Sequence, residues 1–211
     1  MLLTEVWSCL MMDTHHSNKQ TKGAITKHKI IVEARDLFYR QGFDATSTAQ
    51  IAKKVGVSEA ALYKHFKGKM ALLLATVEPE RPHDQEVSYF STLSNLDLLG
   101  AWTEQLISTV FHNRPQYTII FSESPRHPEL SENYIRHLHQ LTNADKELLT
   151  RMDKGQLPKL DLVLFQVGII GSFLAMLTHK RIYEPTLNLQ GIPEDIRHTL
   201  ISIVEGKLFQ Q

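Results

Sequence analysis

Cysteine is all but missing from this chain. Cys9 is the only one in 211 residues. A single thiol cannot build a disulfide framework, a Cys-x-x-Cys redox pair or a cysteine-based zinc finger within one chain, and such usage fits a reducing cytoplasm. Strand signals are missing too. No run of β-branched residues alternates with polar ones and no Asn-Gly pair marks a hairpin, so helices are expected throughout. The sequence also lacks Gly-x-Ser-x-Gly, a Walker loop, Gly-x-Gly-x-x-Gly after a strand, and His-Glu-x-x-His. An enzyme reading therefore has no residue constellation behind it, and no cofactor is expected. The apolar start, Met1 to Met12, has no basic n-region and no small-residue cleavage site. A signal peptide is not expected, and Met1, Met11 and Met12 stay open as the start. There is no net charge, no internal repeat and no low-complexity tract. Hydrophobic residues make up 42% and charged ones 22%, as in ordinary globular proteins.

The zero net charge hides a segregation. Between Lys19 and Lys69 there are eleven Lys and Arg against four acids; the rest has twelve against nineteen. A basic N-terminal part on an acidic body implies an anionic partner for one part only. The basic part carries two short helical patterns around a glycine. Ser47 is a good N-cap and Gln50 completes a capping box. Ile51, Ala52 and Val55 follow at helical spacing, and Gly56 stands where a helix needs a left-handed residue to stop. Ser58 caps again, and Ala61, Leu62 and Phe66 line a second short helix. Helix, tight turn, helix is the unit that lays its second helix in the major groove. A preceding helix from about Thr26 to Gln41, with Ile30, Ile31, Ala34, Leu37 and Phe38 inward, supplies the core the short helices need. Residues 1–24 read as a loose polar arm, either touching phosphate or minor groove or simply frayed.

Here the sequence resembles a known family. Leu37-Phe38, Gly42-Phe43, Thr46-Ser47, Ile51-Ala52, Gly56-Val57-Ser58, Leu62-Tyr63-Lys64-His65-Phe66 and Lys69, in this order, are similar to the TetR-type DNA-binding domain. The resemblance covers about a quarter of the chain. It implies Tyr63, His65 and Lys69 on phosphates and Glu59, Ala60 and Lys64 near bases. Geometry alone gives a compatible set. The exposed face of the second short helix offers Glu59, Ala60, Tyr63 and Lys64. Lys64 suits guanine O6 and N7, Glu59 cytosine N4, and Ala60 a thymine methyl. Thr46, Ser47 and Thr48 stand at a helix N-terminus fit for phosphate, and Ser58 and Ala61 complete the set. Tyr63 as a packing residue and His65 as a cap are the alternatives. A fourth helix from near Gly68, with Met70, Leu73, Leu74 and Val77, is broken by Pro79 and Pro82. The boundary is drawn there: 25–78 for DNA binding, 79–211 for a helical ligand-binding and dimerisation domain. In the resembling family the fourth helix links the two, so a break leaves open how movement in the body reaches the DNA.

The body reads as helices over about Leu96–His112, Pro115–Ser122, Glu129–Lys154, Leu160–His179 and Pro193–Leu208. Leu130, Tyr134, Leu138, Leu141, Leu148 and Met152 mark a core face on the third. The run Leu162–Leu177 is apolar nearly all round, too short for a confident membrane span, and reads as a helix buried on all sides. Of eleven histidines, His15-His16 lie in the arm, His127 precedes Pro128, and His137 and His139 point to different helix faces; no metal site is expected. The resemblance implies a dimer and a small-molecule pocket whose occupancy releases DNA. Trp102, Phe111, Tyr117 and Phe121 are candidates to line it, as are Phe165, Gln166 and Phe173. Gln166 stands out because a lone amide in an apolar helix needs a partner. No basic cluster is visible to suggest an anionic effector. For the dimer, Gly168, Gly171, Ser172 and Ala175 form one small-residue face, and Ile196, Leu200, Ile203, Val204 and Leu208 an apolar stripe. Together they would make an isologous four-helix interface. The expectation is an all-α, one-component, ligand-responsive repressor binding a palindromic operator as a homodimer in the cytoplasm. The alternative is a nucleoid-occlusion regulator of the same fold, which the run Val57 to Tyr63 also resembles.

Overall fold

The computed structural model describes residues 21–80, 85–138, 140–186 and 189–206, with backbone only for 135–138. Among them are eleven helices and no strand. Cys9, His15, His16, His139, Leu208 and the arm residues 1–20 lie outside the described residues, as do the side chains of His137 and Leu138.

Helix α1 (Lys22–Gln41) begins earlier than the expected Thr26 because the Thr21 hydroxyl caps it, accepting from the Ala24 N–H. It ends at Gly42, whose φ of 83° costs a glycine little. Helix α2 (Thr48–Val55) opens on the full Ser47–Gln50 capping box and closes on Gly56 in the left-handed region. Helix α3 (Glu59–His65) is capped by the Ser58 side chain. Helix α4 (Lys69–Thr76) stops before the prolines. Ile30, Ala34, Phe38, Ile51, Leu62 and Leu72 are buried in one core. That core is completed from the body by Ile119, Ile120 and Leu130.

The body holds α5 (Val87–Thr92), α6 (Asn95–His112), α7 (Arg114–Glu123), α8 (Pro128–Leu138), α9 (Asn143–Asp153), α10 (Leu162–Tyr183) and α11 (Glu194–Val204). Helix α5 was not expected. The expected single helix Glu129–Lys154 is two helices. Thr142 starts α9 with its own capping box, closed by Asp145, and a new cap means a new helix. The Asp145 carboxylate then does more than cap. Its Oδ1 accepts from Trp102 Nε1 at 2.7 Å and from Gln166 Nε2 at 2.8 Å, joining α6, α9 and α10 inside the second core. Arg151 is buried beside it, donating to the carbonyls of Phe90 and Leu93 and to Asn95.

Helix α10 is long and apolar enough to cross a membrane by length and composition. It packs as a core helix against α6 and α11. It is not buried on all sides as expected. Gln166, Ile169, Ile170, Phe173 and Leu177 face inward, while Leu164, Gly168, Ser172, Ala175 and Ile182 are exposed. In α11 the expected stripe divides. Ile196 and Leu200 are buried in the chain's own core against α6, so they are not available to a partner. Val204 packs half-buried on that core, and Ile203 is exposed.

Candidate nucleic-acid interface

The surface of α3 carries the expected chemistry. Leu62 faces inward and is fully buried, which turns Glu59, Ala60, Tyr63 and Lys64 outward on successive turns. Tyr63 is 49% exposed, too much for a packing residue. Lys64 is exposed and makes no ion pair among the described residues, leaving its ammonium available. Ser58 is exposed, with its hydroxyl on the Ala61 N–H; Ala61 and His65 are half-buried at the edges of the face.

Two of the three hydroxyls expected on phosphate point elsewhere. Thr46 is buried, donates to the Gly42 carbonyl and accepts from Gln41 Nε2, so its side chain is a turn fastener. The Thr48 hydroxyl donates to Glu59 Oε1 and lies 3.2 Å from the Tyr63 hydroxyl. It ties the start of α2 to the outer face of α3 and fixes two of the outward-facing side chains. Ser47 is exposed, but its hydroxyl holds the Gln50 N–H and its own N–H donates to Gln50 Oε1. What α2 can offer a phosphate is therefore the backbone N–H of Thr48 and Ala49, which helix geometry leaves without intrahelical acceptors.

Lys69 lies one helix further on, at the start of α4. Its Nζ sits 4.2 Å from the centroid of the Phe43 ring and donates to the Asp44 carbonyl at 3.4 Å. The Phe43 ring also meets the His127 ring edge-on at 4.8 Å. The Phe43 N–H donates to Glu123 Oε1 at 3.2 Å, and Glu123 is almost wholly buried. The turn between α1 and α2 is thus held by the C-terminal end of α7 and the loop after it. The linker is pinned as well. Asn113 accepts from the Glu80 N–H at 2.7 Å and donates to the Glu80 carbonyl at 2.9 Å. Helix α7, not a continuous fourth helix, is what joins the body to the helix-turn-helix part. Sequence reasoning missed Glu123 and Asn113, because their partners lie 80 and 33 residues away.

Part of the basic charge is used internally. Lys54 bonds Asp36 at 2.6 Å and Glu33 at 2.9 Å, clamping α2 to α1. Hydrogen bonds from Lys54 and Arg40 hold the Asp36 carboxyl below its usual range. Arg35 turns inward to the Thr76 carbonyl, and burial lowers its guanidinium. Exposed Lys53, Lys64 and Lys67 remain for an anionic partner.

Residues 30–76 match the model of the tetR family of bacterial regulatory proteins. That match makes this segment similar to the helix-turn-helix of those regulators. The chain is 28% identical over 123 residues to the HTH-type transcriptional regulator SrpR of Pseudomonas putida, covering 58% of this chain and 56% of SrpR. It is 46% identical over 52 residues to the uncharacterized HTH-type transcriptional regulator YerO of Bacillus subtilis (strain 168), covering 25% of this chain and 18% of YerO. The chain thus spans less than two thirds of the length of either. Among solved structures, Salmonella enterica GusR has a TM-score of 0.58 at 21% identity, over 90% of this chain and 98% of that one. That likeness shows the fold. The match covers the helix-turn-helix segment, and the architecture adds a helical body after it.

In the body, the seven expected pocket residues do not gather at one opening. Trp102, Phe111, Tyr117 and Phe173 are buried core. Phe165 stacks on Trp102 with 5.6 Å between centroids. Gln166 meets its need for a partner at Asp145, although its Oε1 stays buried without one. Phe121 alone of the seven lines a cleft of about 820 Å³ between α1, α7 and α10.

Proposed function

We propose that the chain is a sequence-specific DNA-binding transcriptional regulator, a ligand-responsive repressor that binds a palindromic operator as a homodimer in the cytoplasm. The observation that carries this reading is the outward face of α3. Tyr63 and Lys64 are exposed on it while Leu62 anchors it, and Thr48 holds Glu59 and Tyr63 in place. Lys64 and Glu59 read bases; Tyr63, Lys69 and the first N–H groups of α2 hold phosphates. Two copies are needed because one helix-turn-helix makes a small interface, and paired half-sites about 34–36 Å apart supply specificity. Support for a dimer comes from the exposed small-residue side of α10. A Cβ added at Gly168 would meet nothing within 4 Å, so a second helix has room to approach. The effector reading draws on the join at α7, through which a change in the body would reach the Phe43 turn.

Mapping bound sites across the genome, with footprinting of the strongest, tests the proposal. A few palindromic sites near promoters are expected. Many scattered sites with no effect on transcript levels would overturn it in favour of a nucleoid-associated role.

A further inference from the structure

We propose that the cleft between α1, α7 and α10 binds an amphipathic organic anion, a carboxylate or phosphate head on an apolar body. The inference rests on the ligand-responsive reading above and names the site and chemistry of its effector. Two guanidiniums distant in sequence, Arg114 and Arg181, line this cleft. Neither has an acidic partner among the described residues. Arg114 instead lies over the Phe111 ring at 4.0 Å. Of the acids that follow Arg181 in the chain, Glu184 and Asp195 are bound to Lys180 and Glu194 to Arg197. Burial lowers the Arg114 guanidinium, Tyr39 opposes this, and Arg181 adds to it. Two cations lining one cleft with no counter-charge among the described residues are relieved by an anion between them, and guanidinium can pair two oxygens of a carboxylate or phosphate.

The rest of the wall argues for an apolar body on that anion. Leu174, Leu177 and Leu189 line the cleft, with Phe121 38% and Ile182 67% exposed. Apolar side chains left open beside paired cations are the pattern of a small-molecule site, and about 820 Å³ suits a ligand of a dozen or more heavy atoms. An inorganic ion would leave that wall wet. The cleft also bridges the two halves of the molecule. Tyr39 belongs to the last turn of α1, just before the Phe43 turn, while Arg114 opens α7 and Arg181 is on α10.

Calorimetric titration of the full chain with decanoate, decyl phosphate and decanol tests this. Saturable binding of at least one anion is expected, with decanol about tenfold weaker or worse. The better of the two anions identifies the head group. Arg114→Gln and Arg181→Gln should each weaken the anion about tenfold and leave decanol unchanged. Ile182→Glu, on an exposed wall residue, should abolish anion binding and keeps the test decisive if Arg114→Gln fails to fold. The proposal is overturned by absence of binding by both anions, by equal binding of decanol, or by anion binding that both arginine variants leave intact. It also falls if the anions do not bind and the arginine variants shift sedimentation from dimer to monomer, which would make the cleft an interface between copies. Operator affinity measured with and without the bound anion separates the two readings. Binding with unchanged operator affinity upholds the site and removes its regulatory role.

Discussion

The helix-turn-helix half and the helical body are held by contacts of different reach. In the first, the caps at Ser47 and Ser58 each bond an N–H three residues on, and Gly42 and Gly56 end helices by their own backbone freedom. In the body, Asp145 bonds Trp102 and Gln166, 43 and 21 residues away, and Arg151 reaches back to Phe90 and Leu93. The first half is mostly a set of local instructions, with its core and the Phe43 turn completed from the body. The body is a set of helices that find their places through a few buried polar groups with several partners each. Damage should therefore stay local in one and spread in the other.

Removing Asp145 gives the largest expected effect. Asp145→Ala leaves two buried donors without acceptors and opens the α9 capping box, a loss of about 3–5 kcal/mol by urea unfolding. Ser47→Ala, the matching cut in the other half, removes one exposed cap and should cost about 1 kcal/mol. Losses of equal size would erase the distinction. Alkaline pH probes the body by another route. Burial pushes the Tyr117 hydroxyl up to about 12, and that of its ring neighbour Tyr134 in the same direction. Both are neutral when folded, so nothing is lost below the unfolded value near 10. Above it the unfolded chain gives up its protons first, and stability falls until the folded group titrates. Tyr117 alone accounts for about 2–3 kcal/mol between pH 10 and 12. Tyr117→Phe should flatten that part of the profile; an unchanged slope would mean that Tyr117 ionises without unfolding.

This difference in reach also explains what was legible. Ser47, Gln50, Gly56 and Ser58 announce their roles within a window of a few residues, and each forms the expected bond or turn. The Thr142–Asp145 box is equally local, but apolar spacing continues past it from Leu130 through Leu148 and reads as one helix. Ile196 and Leu200 form an apolar stripe whichever surface covers it, and only the docking of α11 on α6 decides that it is internal. Arg114 and Arg181 make no cluster in the sequence and line one cleft only in the fold. Thr46 was a hydroxyl at a helix start, and nothing local says that Gln41 and Gly42 claim it.

Within the DNA-binding half, the two lysines should fail in different ways. Lys64→Ala should cost about 2 kcal/mol per subunit on the cognate operator and relax the preference at one base position. Competition with random DNA checks this. Equal losses on both would assign Lys64 to the backbone.

The smallest expected effect is at Lys69, and it tests whether the two halves meet there. Lys69→Ala should weaken binding to all sequences by about 1 kcal/mol and lower the slope of log K against log salt by about 0.9 per lost phosphate contact, hence about 1.8 for a dimer. Phe43→Leu provides the contrast. It keeps the Lys69 charge and the Phe43 N–H to Glu123, but removes the ring over which Nζ sits and against which His127 packs. If the ring only positions the ammonium, Phe43→Leu should reduce affinity with an unchanged salt slope, because the same number of counterions is released. Glu123→Gln should behave like Phe43→Leu, since it weakens the hold of α7 on the same turn without touching a DNA-facing charge. A lowered slope in Phe43→Leu would show that Lys69 leaves the phosphate once the ring is gone. No effect from Glu123→Gln would mean that the turn keeps its place without the body, and the join at α7 would then carry no information between the halves.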